Sequence, residues 1–232
     1  MQSISYRYIL NRSDFKKDIF ILHGLFEYPG VYEKMAQRLS DSGYKAHMIG
    51  MQGFGNLFAA KEELDFYSIF EFLERTVPSD YVLFGSCLGG VISASFSIKT
   101  EKKPSKLILS SPLFLDRESS YDSLGIDELN LRRDIKIKMY KDPYIQKSFE
   151  KPQIKKVMKE SGFILDNIDR LNMPVYVLKT SRDPFFDDQA VNKIKKCKSI
   201  KISSIKSEDR MLFYNPVSYE QAQTELEHIL SE

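Results

Sequence analysis

Residues 81–90 read Tyr81-Val82-Leu83-Phe84-Gly85-Ser86-Cys87-Leu88-Gly89-Gly90. The apolar, β-rich run Tyr81–Phe84 predicts a buried strand, and helical spacing begins at Leu88. Between them lies the pattern Gly-x-Cys-x-Gly, which in a strand–turn–helix context is typical of a strained turn that lifts a nucleophile into a pocket at a helix N-terminus. We therefore expect Cys87 to be a catalytic nucleophile. The alternative is a glycine-rich junction that holds a buried, inert cysteine.

Short β-rich runs recur on both sides of this turn and alternate with longer segments of helical spacing. Strands are predicted at Ile4–Leu10, Asp18–His23, Tyr44–Ile49, Tyr81–Phe84, Lys106–Ser110, Val175–Lys179 and Ile200–Ile205. Helices are predicted at Val31–Ser40, Glu62–Thr76, Leu88–Lys99, Asp188–Lys196 and Ser218–Ser231. Several strands are continuous apolar runs, as strands covered on both faces require. The pattern predicts an α/β fold with a doubly wound, mostly parallel sheet.

An insertion interrupts this alternation in the middle of the chain. About sixty residues separate the strand that ends at Ser110 from the strand that follows Pro174, far more than the usual connection in α/β proteins. Its helical stretches, Asp127–Tyr140 and Lys151–Glu160, predict a helical cap over the carboxyl edge of the sheet, where such folds bind ligands. We expect one domain overall, with a core of residues 1–112 and 173–232 and a cap of residues 113–172.

Composition and charge limit the classes of partner. The 232 residues contain 34 basic and 32 acidic side chains, for a formal charge of +2. This balance favours no nucleic-acid partner, and no apolar run reaches the length of a transmembrane segment. The two cysteines lie far apart and Met1-Gln2-Ser3 does not begin a signal peptide, so a cytoplasmic protein is expected. We expect no cofactor and no metal, and the sequence predicts no oligomeric state.

A second signature follows the strand Asp18–His23. It reads His23-Gly24-Leu25-Phe26-Glu27-Tyr28-Pro29-Gly30-Val31-Tyr32. With the Cys87 turn it resembles the monoacylglycerol lipase and lysophospholipase branch of the α/β hydrolases, whose members carry H-G-x-x-E-H-S-G-x-Y, then a G-H-G turn, then G-x-S-x-G-G. The chain has Gly53-Phe54-Gly55 at the G-H-G turn but lacks the aspartate before it, since Gly50 stands there.

The resemblance implies roles for several further residues. The backbone N–H groups of Leu25 and Leu88 correspond to the family's oxyanion hole, and His23 and Gly24 to the loop that supports it. Asp183, which follows the strand Val175–Lys179, corresponds to the family's catalytic acid. The segment Lys141-Asp142-Pro143-Tyr144 is similar to an Asp-Pro segment of the family's cap.

The family's catalytic histidine has no counterpart in the loop after the last strand. Asp209 or Arg210 occupies its place, while His47 and His228 fall in a strand and in the last helix. Arginine accepts no proton at physiological pH, so Arg210 is expected to act as a fixed charge that stabilises a thiolate or pairs with Asp183. Alternatively, Asp209 replaces the histidine as base.

The missing base decides what chemistry is expected. A serine without a base is inert, but a thiol of pKa about 8.5 ionises unaided, and a helix N-terminus or a cation lowers that pKa. Dienelactone hydrolases and polyhydroxyalkanoate synthases resemble this chain in their cysteine turns, although both keep a histidine. We expect a Cys87 thiolate to act on a small-molecule ester or thioester, free or carrier-bound, with weak hydrolysis. The alternative is a pseudo-hydrolase that binds an acyl-like ligand or a protein.

Overall fold

The computed structural model describes residues 4–9, 14–51, 54, 64–115, 121–186, 188–195, 197–207 and 209–232. Its strands are β1 (Ile4–Ile9), β2 (Lys17–Leu22), β3 (Tyr44–Met51), β4 (Tyr81–Ser86), β5 (Lys106–Ser110), β6 (Ser123–Gly125), β7 (Ser148–Glu150), β8 (Val175–Thr180) and β9 (Ile200–Ile205). Its α-helices are α1 (Glu33–Asp41), α2 (Phe66–Thr76), α3 (Leu88–Lys99), α4 (Arg133–Lys141), α5 (Lys151–Asp166), α6 (Asp188–Ile194) and α7 (Pro216–Ser231).

The main sheet has the strand order β1-β3-β2-β4-β5-β8-β9. Every neighbouring pair is parallel except β1 and β3, which are antiparallel. The predicted fold class is therefore confirmed: this is a doubly wound, mostly parallel sheet. The carboxyl ends of β4, β5 and β8 lie side by side at its centre, so loops that leave these strands meet at one edge.

Helices cover both faces of this sheet. Alternate residues of β2 point to opposite sides, so Ile19 and Ile21 join one hydrophobic cluster while Phe20 and Leu22 join the other. Helices α1 and α7 pack on the first face, and α2, α3, α5 and α6 on the second. Burial on both faces explains why the central strands are continuous apolar runs.

The predicted elements differ from the observed ones mainly at their ends. Helix α7 begins at Pro216, two residues before the expected start, because the Asn215 side chain accepts a hydrogen bond from the Val217 N–H and proline suits the first helical turn. Glu62, where the second helix was expected to begin, lies outside the described residues, and α2 is described from Phe66.

The insertion between β5 and β8 contains β6, α4, β7 and α5. Strands β6 and β7 form a small antiparallel sheet that the sequence analysis did not predict, because each is only three residues long and they are far apart in sequence. The helix expected at Asp127–Tyr140 is in fact a short 3₁₀ turn, Ile126–Glu128, followed by α4. Among the described residues, no helix is long and apolar enough to cross a membrane.

Candidate active site

Cys87 lies between the end of β4 and the start of α3. Its backbone has φ 50° and ψ −110°, a strained conformation for a residue other than glycine. A Cβ at Gly85 would clash with the backbone of Gly89, and a Cβ at Gly89 would clash with the Leu22 carbonyl. The two glycines are therefore required because strand β4, helix α3 and strand β2 approach one another so closely around this turn.

The loop after β2 packs directly against this turn. A Cβ added at Gly24 would lie 2.7 Å from Cys87 Cβ, so only glycine fits between the loop and the cysteine. A hydrogen bond from the Leu25 backbone reaches the Cys87 sulfur and favours its anionic form. Leu88 is the first residue of α3, so its N–H has no acceptor within the helix. The two N–H groups expected to form an oxyanion hole thus lie on elements that meet at Cys87.

His23 holds this loop in place. Its Nε2 accepts a hydrogen bond from the Met51 N–H at 3.2 Å, so its Nδ1 carries the proton and donates to the Gly24 carbonyl at 2.9 Å. Burial lowers the pKa of His23 to about 4, so the ring is neutral at physiological pH. Phe54 packs edge-on against the ring, whereas Gly53 and Gly55 of the expected turn lie outside the described residues.

Glu27 is a buried carboxyl group that the sequence analysis noted in the motif but to which it gave no role. It accepts hydrogen bonds from the Gly24 N–H at 2.5 Å and from the Tyr32 hydroxyl at 2.7 Å, and a further hydrogen bond links it to Ser86. Burial raises its pKa despite these bonds. The spacing of Gly24, Glu27 and Tyr32 in the motif was the sequence signal for this role, because these three residues form one hydrogen-bonded unit.

Asp183 and Arg210 form a buried pair. Asp183 follows β8, and its Oδ1 lies 3.7 Å from the Arg210 Nε while also accepting a hydrogen bond from the Phe185 N–H at 3.1 Å. Arg210, which follows β9, is 2% exposed, donates from Nη2 to the Ser111 carbonyl at 2.6 Å and lies over the Phe185 ring. Of the two residues expected at the histidine position, it is Arg210 that adjoins Asp183.

Asp209 points away from this pair. Its Oδ1 accepts a hydrogen bond from the Arg132 N–H at 2.6 Å, and its Oδ2 accepts one from the Asn215 side chain. With both oxygens occupied in this way, Asp209 links the loop after β9 to the insertion and to the start of α7.

The remaining histidines lie elsewhere in the fold. His47 stacks on Phe20 within the sheet and hydrogen-bonds the Asp18 carboxylate and the Tyr6 hydroxyl. His228 is near the end of α7, where it is paired with Glu232. Neither histidine is part of the group of residues around Cys87.

The charges around Cys87 oppose the self-ionising thiol expected from the sequence. Burial raises the pKa of Cys87; the Arg210 charge lowers it, and the carboxylates of Glu27 and Asp183 raise it again. The expectation of a lowered pKa is therefore wrong. That expectation rested on the helix N-terminus and the cation, and it left out burial and the carboxyl group of Glu27. The residue Cys87 is only 7% exposed.

A narrow apolar cavity lies beside the candidate oxyanion loop. It measures about 10 Å³, room for about one water molecule. Its walls come from the loop after β2, from the segment before α2, from the segment after β5 and from the rest of the insertion: Leu25, Leu64, Leu113, Leu115, Leu124, Phe149, Gln153, Ile154 and Val157. Leu113 ties it to the nucleophile turn, because the Leu113 N–H donates to the Cys87 carbonyl at 3.0 Å.

The turn, the loop and the sheet together match a known family. Residues 13–131, more than half of the chain, match the family described as serine aminopeptidase, S33. The chain belongs to this family. No curated protein matches it in sequence.

Solved structures share the fold of this S33-family chain across nearly its whole length. The monoacylglycerol lipase of Paleococcus ferrophilus superposes with a TM-score of 0.82 at 17% identity, covering 98% of both chains. A soluble variant of the monoglyceride lipase of Saccharomyces cerevisiae, bound to a substrate analog, has a TM-score of 0.79 at 15% identity and covers 98% of this chain and 90% of that one. An esterase from Exiguobacterium antarcticum has a TM-score of 0.70 at 13% identity, covering 99% and 96%.

Proposed function

We propose that the protein is an acyl-handling enzyme in which Cys87 accepts an acyl group from an ester or thioester. The observation that carries the proposal is the strained Cys87 backbone at the junction of β4 and α3, with the Leu25 N–H directed at the sulfur. A buried cysteine that only fills space needs neither the strain nor the donor. Fold neighbours that include lipases and an esterase support an ester-type donor.

In the proposed step the Cys87 thiolate attacks the acyl carbonyl carbon. The carbonyl oxygen takes up negative charge and is stabilised by the N–H groups of Leu25 and Leu88, each worth about 3 kcal/mol where comparable donors have been removed. The attack, which follows loss of the Cys87 proton to solvent, forms the new S–C bond. Collapse of the intermediate re-forms the carbonyl and breaks the bond to the donor's thiolate or alkoxide, which takes a proton from solvent. The balance is thiol plus acyl donor giving acyl-Cys87 plus the free thiol or alcohol.

The arrangement supports acyl transfer better than hydrolysis. Water attack on the acyl-enzyme normally needs a general base that contributes a factor of about 10²–10⁴. Arg210 adjoins the acid Asp183 where the base would stand, and an arginine accepts no proton. An acceptor thiol needs no such help once ionised, so we propose a thioester as the donor and a thiol as the better acceptor.

We further propose that residues 113–172 form the cap of this site, over a core of residues 1–112 and 173–232. Phe149, Ile154 and Val157 of the insertion line the apolar cavity that Leu25 borders. An acyl chain attached to Cys87 would extend into this cavity, whose lining residues are almost entirely apolar. Because the cavity has room for only about one water molecule, the acyl chain must displace part of the cap to enter.

Intact-mass measurement tests acyl capture. The protein is incubated with p-nitrophenyl esters and with acyl thioesters, and we expect a mass increase of one acyl group with little product release. The Cys87→Ala variant should show no increase, while Cys197→Ala, which removes the other thiol, should behave as wild type. Cys87→Ser should also fail, because a serine hydroxyl ionises far less readily than a thiol. Steady release of product from these donors would contradict the proposal that the site lacks a general base for hydrolysis.

A second candidate function is acyl-ligand binding without catalysis. The observation that favours it is the raised pKa of Cys87, which keeps the sulfur in its unreactive thiol form at neutral pH. This candidate requires that no donor, ester or thioester, labels Cys87 even at high pH. Labelling that grows with pH would instead support the acyl-handling enzyme.

A further inference from the structure

A second cavity lies between strand β1 and the insertion. It measures about 380 Å³, within the range of about 300–1,000 Å³ that is typical of small-molecule sites. Its walls come from β1, the loop after β2, the start of α1, β3, Phe54 and the insertion. It shares no lining residue with the narrow cavity beside Leu25, so it is a separate space to which the acyl chemistry assigns no role.

One part of the wall is aromatic and is held by Asp142. The Tyr28 hydroxyl donates to Asp142 Oδ2 at 3.1 Å, and the Tyr144 N–H donates to Asp142 Oδ1 at 2.9 Å. The centroids of the two tyrosine rings lie 5.5 Å apart, and the rings are tilted by 53°. A Cβ added at Gly30 would lie 2.5 Å from the Tyr28 ring, so the glycine leaves room for that ring. The Asp-Pro-Tyr segment of the insertion thus places two tyrosine rings at the cavity.

Another part of the wall carries one ion pair. Arg7 of β1 is paired through Nη1 with Oε1 of Glu33, the first residue of α1. These are the only charged residues among the described residues that line the cavity, so its wall has no net charge. An arginine has several N–H donors and a carboxylate has a second oxygen, so this one contact leaves both groups able to bind a ligand. Burial and Asp142 raise the pKa of Tyr28 to about 12, so its hydroxyl is neutral.

Gly50 of β3 adjoins two residues that line the cavity. A Cβ added at Gly50 would clash with Ser5 Oγ and would lie 3.1 Å from Pro29 Cγ. Gly50 stands where the lipases that this chain resembles carry an aspartate. An aspartate side chain would enter the space between Ser5 and Pro29, so the cavity accompanies a residue in which this chain departs from those lipases.

We propose that this cavity binds a neutral heteroaromatic ring with a lactam edge, a ring carbonyl beside a ring N–H, as in the base of inosine. Nucleobases stack on aromatic side chains, which Tyr28 and Tyr144 supply. The carbonyl would accept from Arg7 and the N–H would donate to Glu33. The chain's formal charge of only +2 provides no strong field for a phosphate backbone, so we expect a free base or nucleoside and not a nucleic acid.

Isothermal titration with inosine and with 1-methylinosine, in which a methyl group replaces the lactam hydrogen, tests the proposal. We expect wild type to bind inosine about tenfold or more tightly than 1-methylinosine, the usual effect of losing a hydrogen bond to a charged group. Glu33→Ala lacks the acceptor and should bind the two ligands within about twofold of each other. Inosine monophosphate should bind no more tightly than inosine, because Arg7 is the only cation among the described lining residues.

Two tyrosines of the insertion provide a matched pair of variants. Tyr144→Ala should lose about tenfold or more of inosine affinity, the usual effect of removing a stacking ring, while Tyr144→Phe keeps the ring and most of the affinity. Tyr140 has a similar exposure, 47% against 44% for Tyr144, but does not line the cavity. Tyr140→Ala should therefore bind inosine as wild type does.

This site does not depend on the proposed function. Cys87→Ala should bind inosine within about twofold of wild type, whether or not the wild-type protein captures an acyl group. Three results would each overturn the proposal: no inosine binding by wild type, equal binding of inosine and 1-methylinosine by wild type, or unchanged inosine binding by Tyr144→Ala. Binding of the monophosphate about tenfold or more tightly than inosine would likewise contradict a neutral ligand.

Discussion

At position 210 a permanent cation stands beside Asp183, at the position where the family resemblance predicts a histidine. Arg210 lowers the pKa of Cys87, but burial and the carboxyl groups of Glu27 and Asp183 act in the opposite direction, and burial is the largest effect. The net result is a thiol that is held protonated in a site shaped for a nucleophile.

The rate of alkylation by iodoacetamide measures the raised pKa of Cys87 in a Cys197→Ser background, in which Cys87 is the only cysteine. Because its pKa is raised, Cys87 should react more slowly at pH 7.5 than a free cysteine, and its rate should keep rising above pH 9, the ordinary value for the group. The rate is followed by mass spectrometry between pH 6 and 10.5. A rate that levels off below pH 8 would show that the helix N-terminus and Arg210 prevail over burial.

Two charge variants test whether Glu27 raises and Arg210 lowers the pKa of Cys87. Glu27→Gln removes a carboxyl group that raises the pKa of Cys87, so its alkylation at pH 7.5 should be faster than in the parent. Arg210→Gln removes the charge that lowers this pKa, so alkylation should be slower. Equal rates in all three proteins would mean that solvent access, and not charge, limits the reaction.

Arg210→His should supply the missing base. The Asp183 Oδ1 lies 3.7 Å from the Arg210 Nε, so we expect a histidine side chain at position 210 to reach this carboxyl group. A positioned general base contributes a factor of about 10²–10⁴, so this variant should release product from p-nitrophenyl esters continuously, whereas wild type should stop after one acyl group. The same substitution with Asp183→Asn should lose most of the gain. Slow product release from both would imply that the histidine does not reach Cys87.

At the scale of single elements, the turn between β4 and α3 is specified by local sequence. Helix α3 spans Leu88–Lys99 in the structure, as predicted, because the strained turn fixes its start and the extended Thr100 ends it. Nearly all of its residues are buried, so it packs against the sheet on one side and α5 on the other. The three-residue strands β6 and β7 are the opposite case, since only their pairing with each other defines them.

Two adjacent glycines of α3 should respond very differently to alanine. At Gly89 a Cβ would clash with the backbone of Leu22, which cannot move without displacing β2, so Gly89→Ala should lower the free energy of unfolding by about 3 kcal/mol or more. At Gly90 the nearest atom is Pro112 Cβ at 3.1 Å, and alanine is the better helix former by about 1 kcal/mol, so Gly90→Ala should be nearly neutral. Urea unfolding compares the two; similar losses would mean that α3 shifts easily.

At the scale of the whole molecule, the insertion is fastened to the core beside the site. Glu160 of α5 receives hydrogen bonds from Ser95 and Lys99 of α3. Within the insertion, the Ser161 hydroxyl donates to the Leu113 carbonyl at 3.1 Å. Asp209 holds the other side through the Arg132 N–H. The insertion therefore sets the size of the apolar cavity through contacts that bring together residues from all parts of the chain.

Val157→Phe should make the site selective for short acyl groups. Val157 lines the cavity, and a larger ring there would fill it, so labelling by a dodecanoyl thioester should fall about tenfold or more while labelling by an acetyl thioester stays within about twofold. Retained acetyl labelling shows that Cys87 and the oxyanion donors are intact. An equal loss with both donors would place the acyl chain elsewhere or indicate that the variant is misfolded.

The sequence by itself determined the sheet, its predicted strands, the cysteine turn and the loop signature, because local periodicity and glycine spacing report directly on backbone conformation and burial. It also indicated that Asp183 and Arg210 belong to one site, since both follow strands whose carboxyl ends meet. Only the tertiary structure shows that Arg210 adjoins Asp183 while Asp209 bonds Arg132 and Asn215, because side-chain direction after β9 depends on contacts with the insertion and α7. The raised pKa of Cys87 could not be predicted from local sequence either, since the sulfur is desolvated and the Glu27 carboxyl group comes near it only when distant segments pack together.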